Sequence, residues 1–356
     1  MSCILSVMDI NSLLTWYRKE KRDLPFRKDR DPYKIWVSEI MSQQTRIEAM
    51  LGHYARFIER YPTIADLAMA DEDELLKIWQ GLGYYSRARN LKKAAQVCMV
   101  DYGGRLPNTK AELKKLPGIG DYTAGAIASI AYGQQVTAVD GNVIRVCSRY
   151  YWLENDFNQP KEKKKLDALL QEKLPGPQEM PDFTQALMEL GARVCQPKTA
   201  KCEICPLNKS CKGAQRQHPE KLPIARKAIT KTIETKPVII QAAWHENQWQ
   251  IRLHKRAARG LLAGLYEFDE ILPQRVYQKY SLGSYEHVFT HKIWKMDGEL
   301  VVTDYDSSFI PLIQCEKEMA IPSAFMPFYQ QALDLLADLD GQTILESSET
   351  EKAEMN

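Results

Sequence analysis

The sequence has no apolar stretch approaching the ~20 residues a membrane-spanning helix needs, and no basic residue precedes the short apolar run at its start. A bilayer span and a secretory leader are therefore not expected, and the chain reads as soluble and cytoplasmic, with no membrane partner. Glycine and proline are modest at 18 each, which excludes collagen-like or low-complexity bulk. Net charge is nearly absent: 48 Lys+Arg against 46 Asp+Glu leave +2, so any nucleic-acid signal must come from local patches. No heptad pattern suggests a dimer, and a monomer is expected. At 356 residues the chain exceeds what one core usually serves, so two domains are expected.

Residues 1–215 carry mostly helical signals. Asp31 and Pro32 supply an N-cap and a first-turn proline for a helix expected to run through Thr45, with Ile47, Met50, Leu51, Tyr54 and Ile58 continuing its buried stripe. Further helices are expected over 71–80, 86–100, 109–116, 121–132, 140–151 and 183–194. Basic residues then outnumber acidic ones over 216–236, which reads as an interdomain linker. Beyond it, strands are expected over 237–244, 249–253, 285–294 and 298–303, followed by a helix over 325–337, so that 237–340 forms an α+β domain. Residues 341–356 are acidic and free of aromatics, as in a disordered tail.

Three features carry chemistry. Leu116-Pro117-Gly118-Ile119-Gly120 joins two helices through a tight turn, whose glycines let backbone amides converge at the next helix start, a place suited to a phosphate. An ordinary helix-turn-helix connector fits the same pentapeptide. Asp140, before Gly141-Asn142-Val143, suits an N-cap, or a carboxylate facing a sugar held through its phosphates. Four of the eight cysteines, Cys195, Cys202, Cys205 and Cys211, form C-x6-C-x2-C-x5-C, which in an unsecreted chain points to zinc or an iron–sulfur cluster rather than disulfides.

Hairpin, following Asp and cysteine cluster, in that order, resemble the helix-hairpin-helix DNA glycosylase superfamily. The stretches D-P-Y-K-I-W-V-S-E-I-M-S-Q-Q-T (31–45), G-L-G-Y-Y-S-R-A-R-N (81–90) and V-D-G-N-V-I-R-V (139–146) are similar to the A/G-specific adenine glycosylases, the MutY family. The resemblance covers 9–215 closely and 237–335 more loosely. It implies a mainly α fold, two helical lobes with an iron–sulfur loop at 195–211 holding a 4Fe–4S cluster, plus a C-terminal α+β Nudix-like domain. Glu39 maps onto the general acid/base, and its apolar neighbours Ile35, Trp36 and Ile40 suit a carboxyl kept protonated near neutrality. Without the resemblance, a solvated helical Glu would be the ordinary reading. Asp140 would stabilise the oxocarbenium-like sugar as adenine departs, with Tyr122 and Asn142 completing the pocket.

By the same resemblance, Gln44 and Tyr84 enter the duplex, Arg87 and Arg89 lie near phosphates, and Gly118 and Gly120 present the hairpin's amides. Endonuclease III-like relatives carry a lysine in this hairpin that forms an imine with the sugar; Tyr122 cannot, which implies a monofunctional enzyme. In the second domain, Phe289, Thr290 and His291 correspond to a loop that recognises 8-oxoguanine, although a serine is common where Thr290 stands. A Nudix hydrolase box is missing after Gly260. The implied function is base-excision repair of double-stranded DNA, removing adenine paired with 8-oxoguanine or guanine. Two readings compete with it: an endonuclease III-like glycosylase/lyase, and a metal-cluster DNA-binding protein without catalysis.

Overall fold

A computed structural model describes residues 8–224 and 230–344. The contacts divide it into two compact units. The first takes in the described residues of 1–69 and 90–227, the second those of 70–89 and 228–356. No helix among the described residues is long and apolar enough to cross a membrane.

The first unit is helical. It contains α1 (Ile10–Glu20), α2 (Pro32–Met41), α3 (Ile47–Arg60) and α4 (Ile64–Met69). Here α2 follows the expected cap: Asp31 accepts from the amide of Tyr33 at 2.9 Å and Pro32 takes the first helical position. It does not run through Thr45. It stops at Met41, and a turn intervenes in which Gln44 takes φ +59° before α3 starts. The break resets the helical phase. Met50, Tyr54 and Phe57 form the buried stripe of α3, whereas Ile47, Leu51 and Ile58, expected in it, are only partly buried.

In the second unit lies α5 (Glu72–Ile78), and α6 (Ser86–Asp101) begins there before crossing into the first. The first unit continues with α7 (Lys110–Leu113), α8 (Asp121–Tyr132), α9 (Gly141–Tyr151), α10 (Pro160–Gln171), α11 (Met180–Arg193) and α12 (Lys212–Gln215). Every residue of α8 from Thr123 to Ile130 is buried, which makes this helix the unit's axis; α2, α7 and α11 pack on it. A second core joins Leu13, Leu14 and Tyr17 of α1 to Val146, Cys147 and Tyr150 of α9 and to Leu187 and Leu190 of α11. The crossing of α9 and α11 is close enough to require glycine, since a Cβ on Gly191 would come within 2.6 Å of that of Asn142.

The second unit is built on a five-stranded sheet in the order β5-β6-β1-β2-β7. The strands are β1 (Thr232–His245), β2 (Gln248–Arg252), β5 (Gln278–Val288), β6 (Lys292–Val302) and β7 (Phe309–Pro311), and a small ladder pairs β3 (His254–Lys255) with β4 (Tyr266–Glu267). The β1–β6 pair is parallel and the other pairs are antiparallel. Helices α13 (Leu312–Glu318) and α14 (Met326–Asp338) complete the chain order, and Phe325, Phe328, Ala332 and Leu336 pack with Val238, Ile240, Trp294, Met296 and Leu300 of the sheet in one core.

Three details depart from the expected boundaries. Strand β1 starts at Thr232, so the last residues of the stretch read as linker are paired in the sheet, opposite Lys292–Met296. The strand expected over 285–294 is two strands, because Phe289–His291 form a turn closed by the Phe289 amide on the Lys292 carbonyl at 2.8 Å. The first residues of the expected disordered tail are ordered: 341–344 form a helical turn and Ile344 is buried in the sheet's core. The rest of that tail lies outside the described residues.

Candidate active site

In the first unit, the break after α2, the α7–α8 hairpin, the start of α9 and the middle of α11 surround a cleft of about 860 Å³. Glu39, Gln44, Gly118, Gly120, Tyr122, Asp140 and Asn142 all line it, so seven residues singled out from three separate sequence stretches converge on one place.

Glu39 lies in the last turn of α2, between the buried Ser38 and Ile40. Burial of the carboxyl pushes its pKa up to about 7, and the nearby Asp140 adds to the rise; a hydrogen bond from Tyr122 and the charge of Arg27 oppose it. The Tyr122 hydroxyl donates to Glu39 Oε2 at 2.6 Å from the first turn of α8. Such a carboxyl can both hold and release a proton near neutrality, which suits a general acid.

Asp140 fills the N-cap role read from its position and also lines the cleft. Oδ1 caps α9 by accepting from the Val143 amide at 2.7 Å, and Oδ2 accepts from Asn142 Nδ2 at 2.7 Å. Burial raises its pKa and these two bonds counter that rise. Asn142 is held in turn by Arg145, whose Nη2 donates to Asn142 Oδ1 and to the Gly191 carbonyl, both at 2.7 Å, and whose Nε donates to the Cys195 carbonyl at 2.7 Å. A continuous path of hydrogen bonds thus connects Asp140 to the first cysteine of the cluster motif.

Two arginines and a glutamate that sequence reasoning did not single out complete the cleft. Glu189, fully buried on α11, accepts from Arg22 through both oxygens at 2.8 and 2.9 Å and from Arg27 at 2.9 Å. Burial works against its charge, but the paired guanidiniums prevail and hold its pKa below the ordinary value. The available signal was a lone carboxylate within the apolar Phe183, Ala186, Leu187, Leu190 face of α11.

At the hairpin, Gly118 takes φ +76°, and a Cβ there would meet that of Asn90 at 2.7 Å, so glycine is required. Gly120 has open space around it and N-caps α8 without a side-chain hydrogen bond.

The four cysteines of the motif form no disulfide and line one small cavity, although no three of them, nor any three His, Cys, Asp or Glu among the described residues, close on a single ion. The buried Arg149 organises the surrounding loop. Its guanidinium donates to Cys195 Sγ at 3.4 Å and to the carbonyls of Gln196, Pro197 and Leu222 at 2.7 to 2.8 Å.

The remaining candidates lie in the second unit. Tyr84 adopts φ +47°, is 46% exposed, and its hydroxyl stands 2.8 Å from Thr290 Oγ1. Phe289 sits with its ring 4.8 Å from Trp294 and 4.6 Å from His287, while the His291 side chain is exposed. The two arginines expected near phosphates both bond within the second unit. Arg87 is buried, lies over the rings of Trp79 and Tyr84, and donates to the carbonyls of Leu82 and Gly83 at 2.8 and 3.0 Å, bracing the glycine-rich turn from within. Arg89 pairs with Glu72 at 2.8 Å and donates to the Ala263 carbonyl at 2.6 Å.

Residues 37–175 match the HhH-GPD superfamily base excision DNA repair protein model. An adenine DNA glycosylase of Homo sapiens is 44% identical over 220 residues, 59% of this chain and 40% of the relative. One from Buchnera aphidicola subsp. Acyrthosiphon pisum is 33% identical over 310 residues, 83% of this chain and 87% of the relative. The chain spans only about two fifths of the length of the mammalian relatives. Among solved structures, a thermostable thymine-DNA glycosylase aligns with a TM-score of 0.53 at 32% identity, covering 58% of this chain and 95% of that one. Near-full coverage of the Buchnera relative, together with the matched superfamily model and the helical architecture around the hairpin, places the chain in the adenine DNA glycosylase family.

Proposed function

We propose that this chain hydrolyses the N-glycosidic bond of adenine in double-stranded DNA, where adenine is paired with 8-oxoguanine or guanine, and that it acts as a monomer. The observation that carries the reading is the pairing of Glu39, its pKa near 7 and its carboxyl held by Tyr122, with Asp140 in one cleft. Glu39 delivers its proton to a ring nitrogen of the departing adenine. Asp140, ionised and fixed by Val143 and Asn142, stabilises the positive charge that grows on the deoxyribose. Proton delivery of this kind contributes about 10²- to 10⁴-fold in rate. No lysine lines the cleft among the described residues, which supports a monofunctional glycosylase without imine chemistry.

A base can reach Glu39 only by leaving the stack. Gln44 and Tyr84 are exposed side chains on left-handed backbone, a conformation that costs roughly 1–3 kcal/mol and recurs where strain serves function. Both suit insertion into the duplex. The α8 start beyond Gly118 and Gly120 holds a DNA phosphate on its free amides. Tyr84 with Thr290, flanked by Phe289 and His291 in a Nudix-like domain, senses the base opposite adenine.

Cys195, Cys202, Cys205 and Cys211 fit a 4Fe–4S cluster by donor type and by sharing a cavity. When bound, the cluster supplies a rigid fourfold thiolate anchor for the loop that carries Lys198, Lys201 and Lys209. The test is release of free adenine from duplexes holding adenine opposite 8-oxoguanine, guanine or thymine. Release from the first two alone is expected, and absence of release from all three would overturn the reading.

A further inference from the structure

Asp121 is left without a task by the reading above. It opens α8, at the point where the hairpin offers its amides to a phosphate, and it lines the cleft beside Gly118 and Gly120. Its carboxylate accepts from Lys114 Nζ at 2.7 Å and lies 3.3 Å from Lys110 Nζ. Lys110 starts α7 and Lys114 caps its C-terminal end. These lysines, Lys114 first, hold the Asp121 carboxyl below the usual carboxylate range. The hairpin therefore brings two ammonium groups and a helix start together and sets an anion of its own among them.

We infer that Asp121 is a restraint on DNA affinity: it engages Lys110 and Lys114 in internal ion pairs and opposes a phosphate at the α8 start by like charge. The inference rests on the hairpin being the phosphate site. A glycosylase meets vastly more undamaged than damaged pairs, and phosphate contacts bind all of them alike, so an anion that weakens this contact lets the enzyme let go of undamaged duplex. The Lys114 pair is exposed, with 48% and 58% of the two side chains accessible, so removing it costs the fold little.

The experiment measures affinity for undamaged and mispaired duplex across a salt series in the full-length protein. Asp121→Asn is expected to tighten both by the same factor, about threefold to tenfold at low salt, and to steepen the slope of log K against log salt by about one as Lys114 becomes available to phosphates, Lys110 staying on the Thr137 carbonyl at 3.0 Å. Adding Lys114→Ala should remove most of that gain. Gly120→Glu serves as the control: open space and φ −85° tolerate the side chain, and a carboxylate before the free amides should weaken both complexes. If Gly120→Glu leaves affinity unchanged, the hairpin is not the phosphate site and the restraint falls with it. If Gly120→Glu weakens binding while Asp121→Asn leaves affinity and slope unchanged, or weakens binding, the restraint is refuted and the hairpin reading stands.

Discussion

The Tyr122 hydroxyl donates to Glu39 Oε2 at 2.6 Å, joining α8 to the last turn of α2 across 83 positions of sequence. The bond stabilises the ionised carboxylate, so it holds the pKa of Glu39 lower than burial alone would set it. If Glu39 acts as the acid, excision falls as pH rises through about 7. Tyr122→Phe removes the donor, and the descending limb of the single-turnover pH profile should move to higher pH. A limb that stays in place, or moves down, would separate Tyr122 from proton delivery.

Glu39→Gln keeps an acceptor for Tyr122 but has no proton of the right acidity, so excision should fall about 10²-fold or more with duplex binding retained. It also makes a stability prediction. A carboxyl raised from 4.5 to about 7 binds its proton more tightly folded than unfolded, so the native protein loses stability as pH climbs through that window. Above 7 the neutral variant should therefore be the more stable by up to about 3 kcal/mol, a gain that vanishes near 4.5. Thermal denaturation at the two ends of the window measures it.

Asp140 is both cap and charge, and two substitutions pull these apart. Asn caps helices as well as Asp, so Asp140→Asn should leave the melting temperature nearly unchanged while abolishing excision. Asp140→Ala should lose excision and also about 1 kcal/mol of stability. Detectable turnover in the Asn variant would show that the charge is dispensable.

Purified protein should be brown and contain four irons per chain if the four motif cysteines hold one cluster. Stoichiometric zinc in anaerobically prepared protein would refute this. Cys202→Ser should weaken duplex affinity more than it slows excision of bound adenine, because no cysteine lines the cleft.

Tyr84 and Thr290 share one hydrogen bond, so Tyr84→Phe and Thr290→Val should each reduce the preference for 8-oxoguanine over guanine opposite adenine by roughly threefold to tenfold, and the double variant by no more than the larger of the two. Additive losses would mean that the two hydroxyls act separately.

The sequence was most informative where local rules decide. Gly120 and Gly133 bound α8 where expected, and Asp140 starts α9. Local rules missed the break after α2, because Ser42-Gln43-Gln44-Thr45 contains neither glycine nor proline and Gln44 takes a left-handed conformation that its side chain does not advertise. They were also blind to pairings over distance: Glu189 with Arg22 is 167 positions apart, and periodicity records only that a charge sits on an apolar face. The intramolecular partners of Arg87 and Arg89 were hidden for a related reason, since a guanidinium beside a glycine-rich loop does not announce the carbonyls of Leu82 and Ala263 that it serves.

The second unit draws on two distant parts of the chain, 70–89 and the residues beyond 228. On the ribosome these do not arrive together. At about 5–20 residues per second, the residues on which 70–89 packs are synthesised on the order of ten seconds or more after it. During that interval Leu75, Leu76 and Trp79, fully buried in the finished protein, lack part of the surface that covers them, and Lys77 lacks the Met319 carbonyl it finally bonds. A nascent chain halted before the sheet should therefore be the form most readily bound by chaperones, and its most vulnerable site for proteolysis should be 70–89 rather than the boundary at 216–236 that composition marks.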